Sequence, residues 1–483
     1  MQLLTKSKYM NGLQCPKLLW HRFNAPEKIP EPDESTQFRF DQGHLVGNLA
    51  KKLFPDGIDI PADPFMENIS KTSQLVAKKK TLFEAGMLAG DIYSRIDILN
   101  HSSDGWEIIE VKSSTQLKDE YLPDIAFQKF CCEKAGLKVN NCFLMHVNNK
   151  FVKKGEIDPQ EFFVKRDVDS MLDSSNIADN IANMKYVISS SKCPDIPIGS
   201  QCNSPHPCPL IPLCWEYMPK NNVFDLYSGG LKSKELFDKG ILAIKDIPAD
   251  VALSDKQNIQ RLCAIKGKPH IDKPKIKHFL KELEYPLHFL DFETFATAIP
   301  LLEGTRPYEN IPFQYSLHIV DEKGKTKHHS FIAEGKEDPR KKFIDSLKKS
   351  ILENGSIIVY NATFERNVLK SLAGLFPKES KWVDSVTGRF VDLLLPFKSF
   401  LYYDSKQEGS ASIKDVLPAL TGKSYDELDI SEGQSASLAY LDMTYGEMKP
   451  KDVKKTRKAL ETYCGLDTEG MIWIVDKLKG VAK

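Results

Sequence analysis

The run Leu287-His288-Phe289-Leu290 closed by Asp291-Phe292-Glu293 constrains the fold more tightly than any other stretch of this chain. A short run so rich in aliphatic and aromatic side chains reads as a strand buried inside a mixed sheet, which places the segment in an α/β fold. Positions two apart on a strand share a face, so Asp291 and Glu293 are carried to one place at the strand end and can reach one metal ion.

The rest of the C-terminal third supplies matching parts. Ser356-Ile357-Ile358-Val359-Tyr360 reads as a second buried strand, and Asn361-Ala362-Thr363-Phe364-Glu365 opens a helical stretch from Arg366 to Leu372, which sets Glu365 near a strand-to-helix junction. Tyr463 and Asp467 stand four apart in Arg457 to Lys479, where the apolar spacing is helical. Such a pair shares one helix face a turn apart, so phenol and carboxylate can address one phosphate.

Together these segments resemble the DnaQ-like 3′–5′ exonucleases of the RNase H fold, in the branch written DEDDy. Asp291 and Glu293 match the D-x-E motif and Tyr463 and Asp467 match Y-x3-D, while Asn361-x2-Phe364-Glu365 is a shortened form of N-x3-F-D. The remaining carboxylate of the set is either Glu365 or Asp392, the latter in Phe390-Val391-Asp392-Leu393-Leu394. Four carboxylates can hold two divalent cations about 4 Å apart, one to activate water and one to stabilise the leaving 3′-oxygen. Mg²⁺ or Mn²⁺ is the expectation, because the ligands are hard oxygens. The resemblance implies that Tyr463 orients the attacking water.

A second constellation lies in the N-terminal half. Ser94-Arg95-Ile96-Asp97-Ile98-Leu99 reads as a strand, Asp104-Gly105 as a turn, and Trp106 to Lys112 as the partner strand of a hairpin. Glu110 and Lys112 face one side, so carboxylates can take a cation there while an ammonium orients water or neutralises a phosphate. Asp97, followed after twelve residues by Glu110-Val111-Lys112, resembles the PD-(D/E)XK nuclease core. Asp124-x3-Gln128, opening the helical stretch Ile125 to Ala135, is similar to the glutamine-bearing helix of RecB-like nucleases, and Gln42 to Ala50 to their first helix. The resemblance implies that Asp97 and Glu110 bind metal and that Lys112 and Gln128 complete the site. Relatives that use a histidine in the first helix have G-x3-H; this chain has Gly43-x3-Gly47, and His44 is out of phase.

Ten cysteines, with no secretory leader and no apolar run long enough to span a membrane, lead to the expectation of a reducing cytoplasm. Cys202-x5-Cys208-x5-Cys214 is set among Pro205, Pro207, Pro209 and Pro212, and Cys15 precedes Pro16. One early and three late cysteines around a RecB-like core resemble the iron–sulfur nucleases of bacterial recombination and of CRISPR spacer acquisition. That resemblance implies a [4Fe-4S] cluster on Cys15, Cys202, Cys208 and Cys214, with zinc as the alternative.

At 483 residues the chain exceeds one core. The expected layout is a RecB-like module over 1–220, a helical connector over 221–285 with a helix-hairpin-helix-like turn at Leu236 to Ile247, and a DnaQ-like module over 286–483. The whole chain resembles a bacterial family of uncharacterised proteins with this two-part layout. Basic and acidic residues balance at 66 each, so contact with a polyanion must rely on local patches such as Lys266 to Lys281 and Lys449 to Lys458. The function expected is a metal-dependent nuclease acting on DNA in repair, recombination or defence. A nucleic-acid-binding protein with an inactive first module and an RNA-processing exonuclease are the alternatives.

Overall fold

The computed structural model describes residues 3–426 and 428–483 of an α/β protein with more than one domain and two mixed sheets. Two compact units form: Met1–Glu216 with Thr297–Glu309, and Tyr217–Ala296 with Asn310–Lys483. The stretch 221–285 thus lies within the second unit, and thirteen residues that come after the Asp291–Glu293 strand belong to the first.

The first unit is built on a seven-stranded sheet of β1 (Leu4–Thr5), β2 (Ile58–Asp59), β3 (Leu82–Ala89), β4 (Ile92–Ser102), β5 (Gly105–Lys112), β6 (Val139–Val147) and β7 (Phe163–Asp167). β4 and β5 form the hairpin that the sequence predicts, with Ser102 opposite Gly105. β5 then pairs parallel to β6, and a parallel neighbour needs a crossover; the helix Leu122–Lys134 supplies it. The ladder between β4 and β5 stops at Ile98 and Ile109. Beyond that point β1 takes the vacated edge, pairing parallel to β4 at Leu4–Ile92 and Thr5–Tyr93. β1 therefore leads into a helix, Lys6–Gln14, that begins beside the carboxylate strands. Leu82, Ile96, Leu99, Ile108, Phe127 and Leu144 are fully buried in its core. Thr297–Glu309 is fastened to this unit by Ala298 N–H donating to Gln42 Oε1 at 2.8 Å and Tyr308 Oη donating to the Ser113 carbonyl at 2.6 Å.

In the second unit, β8 (His270–Ile271) pairs with β14 (Tyr402–Tyr403), which ties the helical 221–285 stretch to it. Between the helices Gly230–Asp238 and Asp255–Lys266, Gly240 takes φ 78° and a single 3-10 turn, Ile244–Asp246, comes next. The main sheet has β9 (Leu287–Phe295) at its centre. β10 (Ile311–Val320) runs antiparallel to it and carries β11 (Thr326–Ile332), while β12 (Ile357–Val359) and β13 (Phe390–Asp392) add parallel on the other side. Being central, β9 buries Leu290 and Phe292 among Tyr315, Leu317, Phe343 and Ile357, as its composition predicts. The helices Ala362–Leu375 and Pro450–Ala482 extend beyond the stretches read from the sequence at both ends.

Candidate functional site

The alternation of β9 aims Asp291 and Glu293 to the same side, where the long helix Pro450–Ala482 lays Asp467 against them. One oxygen of each of these three carboxylates lies within 4.8 Å of the other two, the one such trio of Asp, Glu, His or Cys among the described residues. Glu293 and Asp467 are buried, at 7% and 6% exposure. None of the three forms an ion pair among the described residues, and this sets the electrostatics. Burial, and then the charges of Asp467, Glu293 and Glu365, push the Asp291 carboxyl well above the usual carboxylate range. Glu293 is raised the same way, chiefly by burial and Asp467, with Lys414 opposing. Burial lifts Asp467 to about 6 against the stabilising hydrogen bond it accepts from Tyr425.

Glu365 occupies the first turn of the helix Ala362–Leu375, is 2% exposed, and has its Oε2 buried without a hydrogen-bond partner among the described residues. Burial raises it to about 8. An ionisable oxygen held dry and unpaired beside a carboxylate trio is what a cation ligand looks like before the cation arrives. Asp392 is used differently. Its carboxylate accepts from the backbone N–H groups of Asn361 at 3.0 Å, Ala362 at 3.1 Å and Leu394 at 3.0 Å, so it pins the strand-to-helix junction, where Asn361 takes φ 74°. Tyr463 sits one turn before Asp467, 4% exposed, and burial together with Asp467, Glu293 and Asp291 keeps its phenol protonated.

In the first unit, the structure brings Asp97, Glu110, Lys112 and Gln128 together and adds Asp124 and Lys6. Lys112 Nζ lies 2.6 Å from Glu110 and 2.8 Å from Asp124. Lys6 Nζ reaches the same two carboxylates at 2.9 and 3.4 Å, which it can do because β1 fills the edge of β4. Gln128 Nε2 donates to Glu110 at 2.6 Å and to Asp124 at 3.0 Å. Asp97 stands where the β4–β5 ladder ends, and its Oδ2 takes the Val111 amide at 2.8 Å in place of a backbone carbonyl. Burial, and then Glu110, lift Asp97 to about 7. Glu110 goes the other way: burial would raise it, but Lys112 and Lys6 hold it well below the carboxylate range.

Cys15, Cys202, Cys208 and Cys214 line one cavity, walled by Ile196, Ile198, Leu210 and Ile211. All four thiols are free of disulfides. Burial pushes the Cys208 thiol up, and the neighbouring Cys15, Cys202 and Cys214 push it further. No three of them come within 4.8 Å of one another. A single tetrahedral zinc, with bonds of about 2.3 Å, would bring thiolates to about 3.8 Å.

Four residues of these centres escape a reading of the sequence. Lys6 and Tyr425 are far from their partners along the chain and belong to no motif. Lys414, whose ammonium lies 5.6 Å from the Tyr463 ring centroid, sits in the helix Ile413–Thr421, which carries no motif either. Cys464 is buried, and its Sγ is 3.5 Å from Asp291 Oδ2. Its place one turn before Thr468 on the face bearing Asp467 was the available signal.

Residues 288–412 match a family model described as a domain of unknown function, DUF2779. That stretch carries Asp291, Glu293, Glu365 and Asp392 and ends before Asp467. The chain is similar to the uncharacterized protein MG366 of Mycoplasma genitalium, 26% identical over 224 residues that cover 42% of this chain and 33% of that protein. It is similar also to the MG366 homolog of Mycoplasma pneumoniae, 26% identical over 222 residues, 41% of this chain and 33% of that one. The match spans about a third of the length of these curated relatives. No solved structure matches the chain.

Proposed function

We propose that this protein is a metal-dependent nuclease that removes nucleotides from DNA ends through its second unit. The observation that carries this reading is the trio Asp291, Glu293 and Asp467, oxygen atoms within 4.8 Å, two of the three buried and none in an ion pair among the described residues. Carboxylates so arranged repel one another unless a divalent cation joins them, and oxygen donors fit Mg²⁺ or Mn²⁺. A bound pair of such ions supplies the charge that makes hydroxide from water and that receives the leaving oxygen. Asp291, Glu293 and Asp467 would hold one ion, and Glu365 would serve the second. Tyr463, kept protonated, donates its O–H toward the attacking water, and Lys414 offers a phosphate an ammonium at the edge of the trio. The mixed sheet with its acidic strand at the centre supports an RNase H-like, DnaQ-like unit, and the resemblance of the Asp291, Glu293, Tyr463 and Asp467 motifs to those exonucleases implies 3′ to 5′ polarity.

The β-hairpin, with a parallel strand and a crossover helix after it, supports a PD-(D/E)XK core in the first unit. Lys6 favours a second reading there. Its ammonium already holds Glu110 and Asp124, as a clamp that grips nucleic acid without cutting it would require. Four thiols lining one cavity, no three of them within 4.8 Å of one another, support a [4Fe-4S] cluster as the staple between Cys15 and the Cys202–Cys214 segment. An anaerobic preparation should be brown and bleach on reduction; a colourless one holding zinc would dismiss the cluster.

The deciding experiment is digestion of end-labelled single-stranded DNA, duplex DNA and RNA with Mn²⁺ by the wild type, Lys112→Ala and Asp291→Ala. Loss confined to Asp291→Ala makes the first unit a clamp, and distinct products lost in each variant make two nucleases. Digestion of RNA alone reassigns the substrate, and a wild type that cuts nothing overturns the reading.

A further inference from the structure

The hydrogen bond that Asp467 accepts comes from a residue no motif points to. Tyr425 Oη donates to Asp467 Oδ1 at 2.6 Å, in the short range of a hydroxyl bound to an ionised carboxylate. The local sequence explains how Tyr425 arrives there. The helix Ile413–Thr421 stops at Gly422, whose φ of 78° is the left-handed cap that glycine takes without strain. A tight turn comes next, closed by Ser424 Oγ donating to Asp426 Oδ2 at 2.7 Å and by Leu428 N–H donating to the Tyr425 carbonyl at 3.0 Å. Tyr425 projects inward from it, 5% exposed, its ring 6.2 Å from that of Tyr463 and 6.0 Å from the Lys414 ammonium.

We propose that Tyr425 is a positioning residue of the acidic trio, fixing one oxygen of Asp467 so that the other is presented to the divalent cation shared with Asp291 and Glu293. This rests on the nuclease reading of that site. The two phenols then divide the work: Tyr425 orients a ligand, and Tyr463 is left to face the reacting water. Partners that orient a metal ligand from behind lose about 10- to 100-fold in metal affinity when removed.

The test is Mn²⁺ titration of the full chain by electron paramagnetic resonance, comparing the wild type, Asp291→Ala and Tyr425→Phe. The Mn²⁺ bound by wild type and lost in Asp291→Ala belongs to the trio. Tyr425→Phe should bind that Mn²⁺ about 10- to 100-fold more weakly. Its Mn²⁺ requirement for nucleotide release should rise in parallel, with the rate restored at saturating Mn²⁺, which a folding defect would not allow. If the variant melts early without metal, the rise in melting temperature on adding Mn²⁺ reads the same affinity, and it should be smaller than in the wild type. Wild-type affinity in Tyr425→Phe overturns the positioning role and leaves the nuclease reading standing. A wild type with no Asp291-dependent Mn²⁺ overturns both.

Discussion

In the first unit Glu110 and Asp124 meet two ammonium groups, Lys6 and Lys112, at 2.6 to 3.4 Å; in the second, Asp291, Glu293 and Asp467 form no ion pair among the described residues. Both centres stand at the end of a sheet strand with a helix laid across, and both bury most of their carboxylates. Burial by itself raises a carboxyl in either place. The sign of the neighbouring charges makes the difference. Two lysines pull Glu110 far down, whereas Asp467 and Glu365 push Asp291 and Glu293 further up. A centre that carries its own paired cations needs none from solution, and one whose nearest ammonium, Lys414, forms no ion pair with its carboxylates is an electrostatic well waiting for a divalent ion.

The largest expected effect breaks the comparison at its root. Asp291→Asn should lower Mn²⁺-dependent nucleotide release by about two orders of magnitude or more, the scale of losing a charge-stabilising group at a reacting centre. Glu110→Gln, an equal change of charge in the first unit, should leave release from the end unchanged and tighten retention of the nucleic acid, because Lys6 and Lys112 lose a counter-charge, read by filter binding. Equal losses of turnover in both variants would make the centres alike.

Lys6→Ala sharpens the comparison from the other side. It leaves Glu110 and Asp124 with Lys112 alone, so the first centre should turn into an Mn²⁺ site that Glu110→Gln removes again. Without metal the variant should lose about 1–3 kcal/mol, less than the ~3–5 kcal/mol of a fully buried pair, because the Lys6 side chain keeps 23% exposure. Melting curves with EDTA and with Mn²⁺ check both halves. Unchanged curves would mean that Lys6 does not define the first centre.

How much of this was legible in the sequence depended on distance along the chain. Asp291 and Glu293, Glu110 and Lys112, and Tyr463 and Asp467 are pairs two or four apart, and the strand or helix period alone puts each pair on one face. Glu365 and Asp392 could not be told apart, because which carboxylate caps a helix and which stays unpaired depends on where β13 ends beside β12. Lys6 reaches Glu110 across 104 residues through a two-residue strand with no periodicity to show. Tyr425 reaches Asp467 across 42 residues through a glycine-capped turn. The insertion of Thr297–Glu309 into the first unit was equally hidden, since Ala298, Glu303 and Tyr308 look like ordinary loop residues until Gln42, Gly155 and Ser113 bind them.

The last expected effect is on stability alone and separates Glu365 from Glu110 of the first centre. Its carboxyl is raised from an ordinary 4.5 to about 8 in the folded protein, chiefly by burial. Between those values the folded chain holds a proton that the unfolded chain has released, so the metal-free protein loses stability as pH rises through this window. Glu365→Gln removes the liability. At pH 8 in EDTA the variant should be more stable than the wild type by about 4 kcal/mol, and the advantage should fade as pH drops toward 4.5, where both states of the wild type carry the proton. Saturating Mn²⁺ should reverse the order, because the ion stabilises the ionised Glu365 and gains less from a neutral amide. Glu110→Gln should show the opposite pH trend without metal, since a carboxylate held low by two lysines stabilises the fold above its unfolded pKa and stops doing so as pH falls. Denaturant melts of both variants from about pH 3 to 8, with and without Mn²⁺, compare the two centres on one scale, and parallel trends would erase the distinction between them.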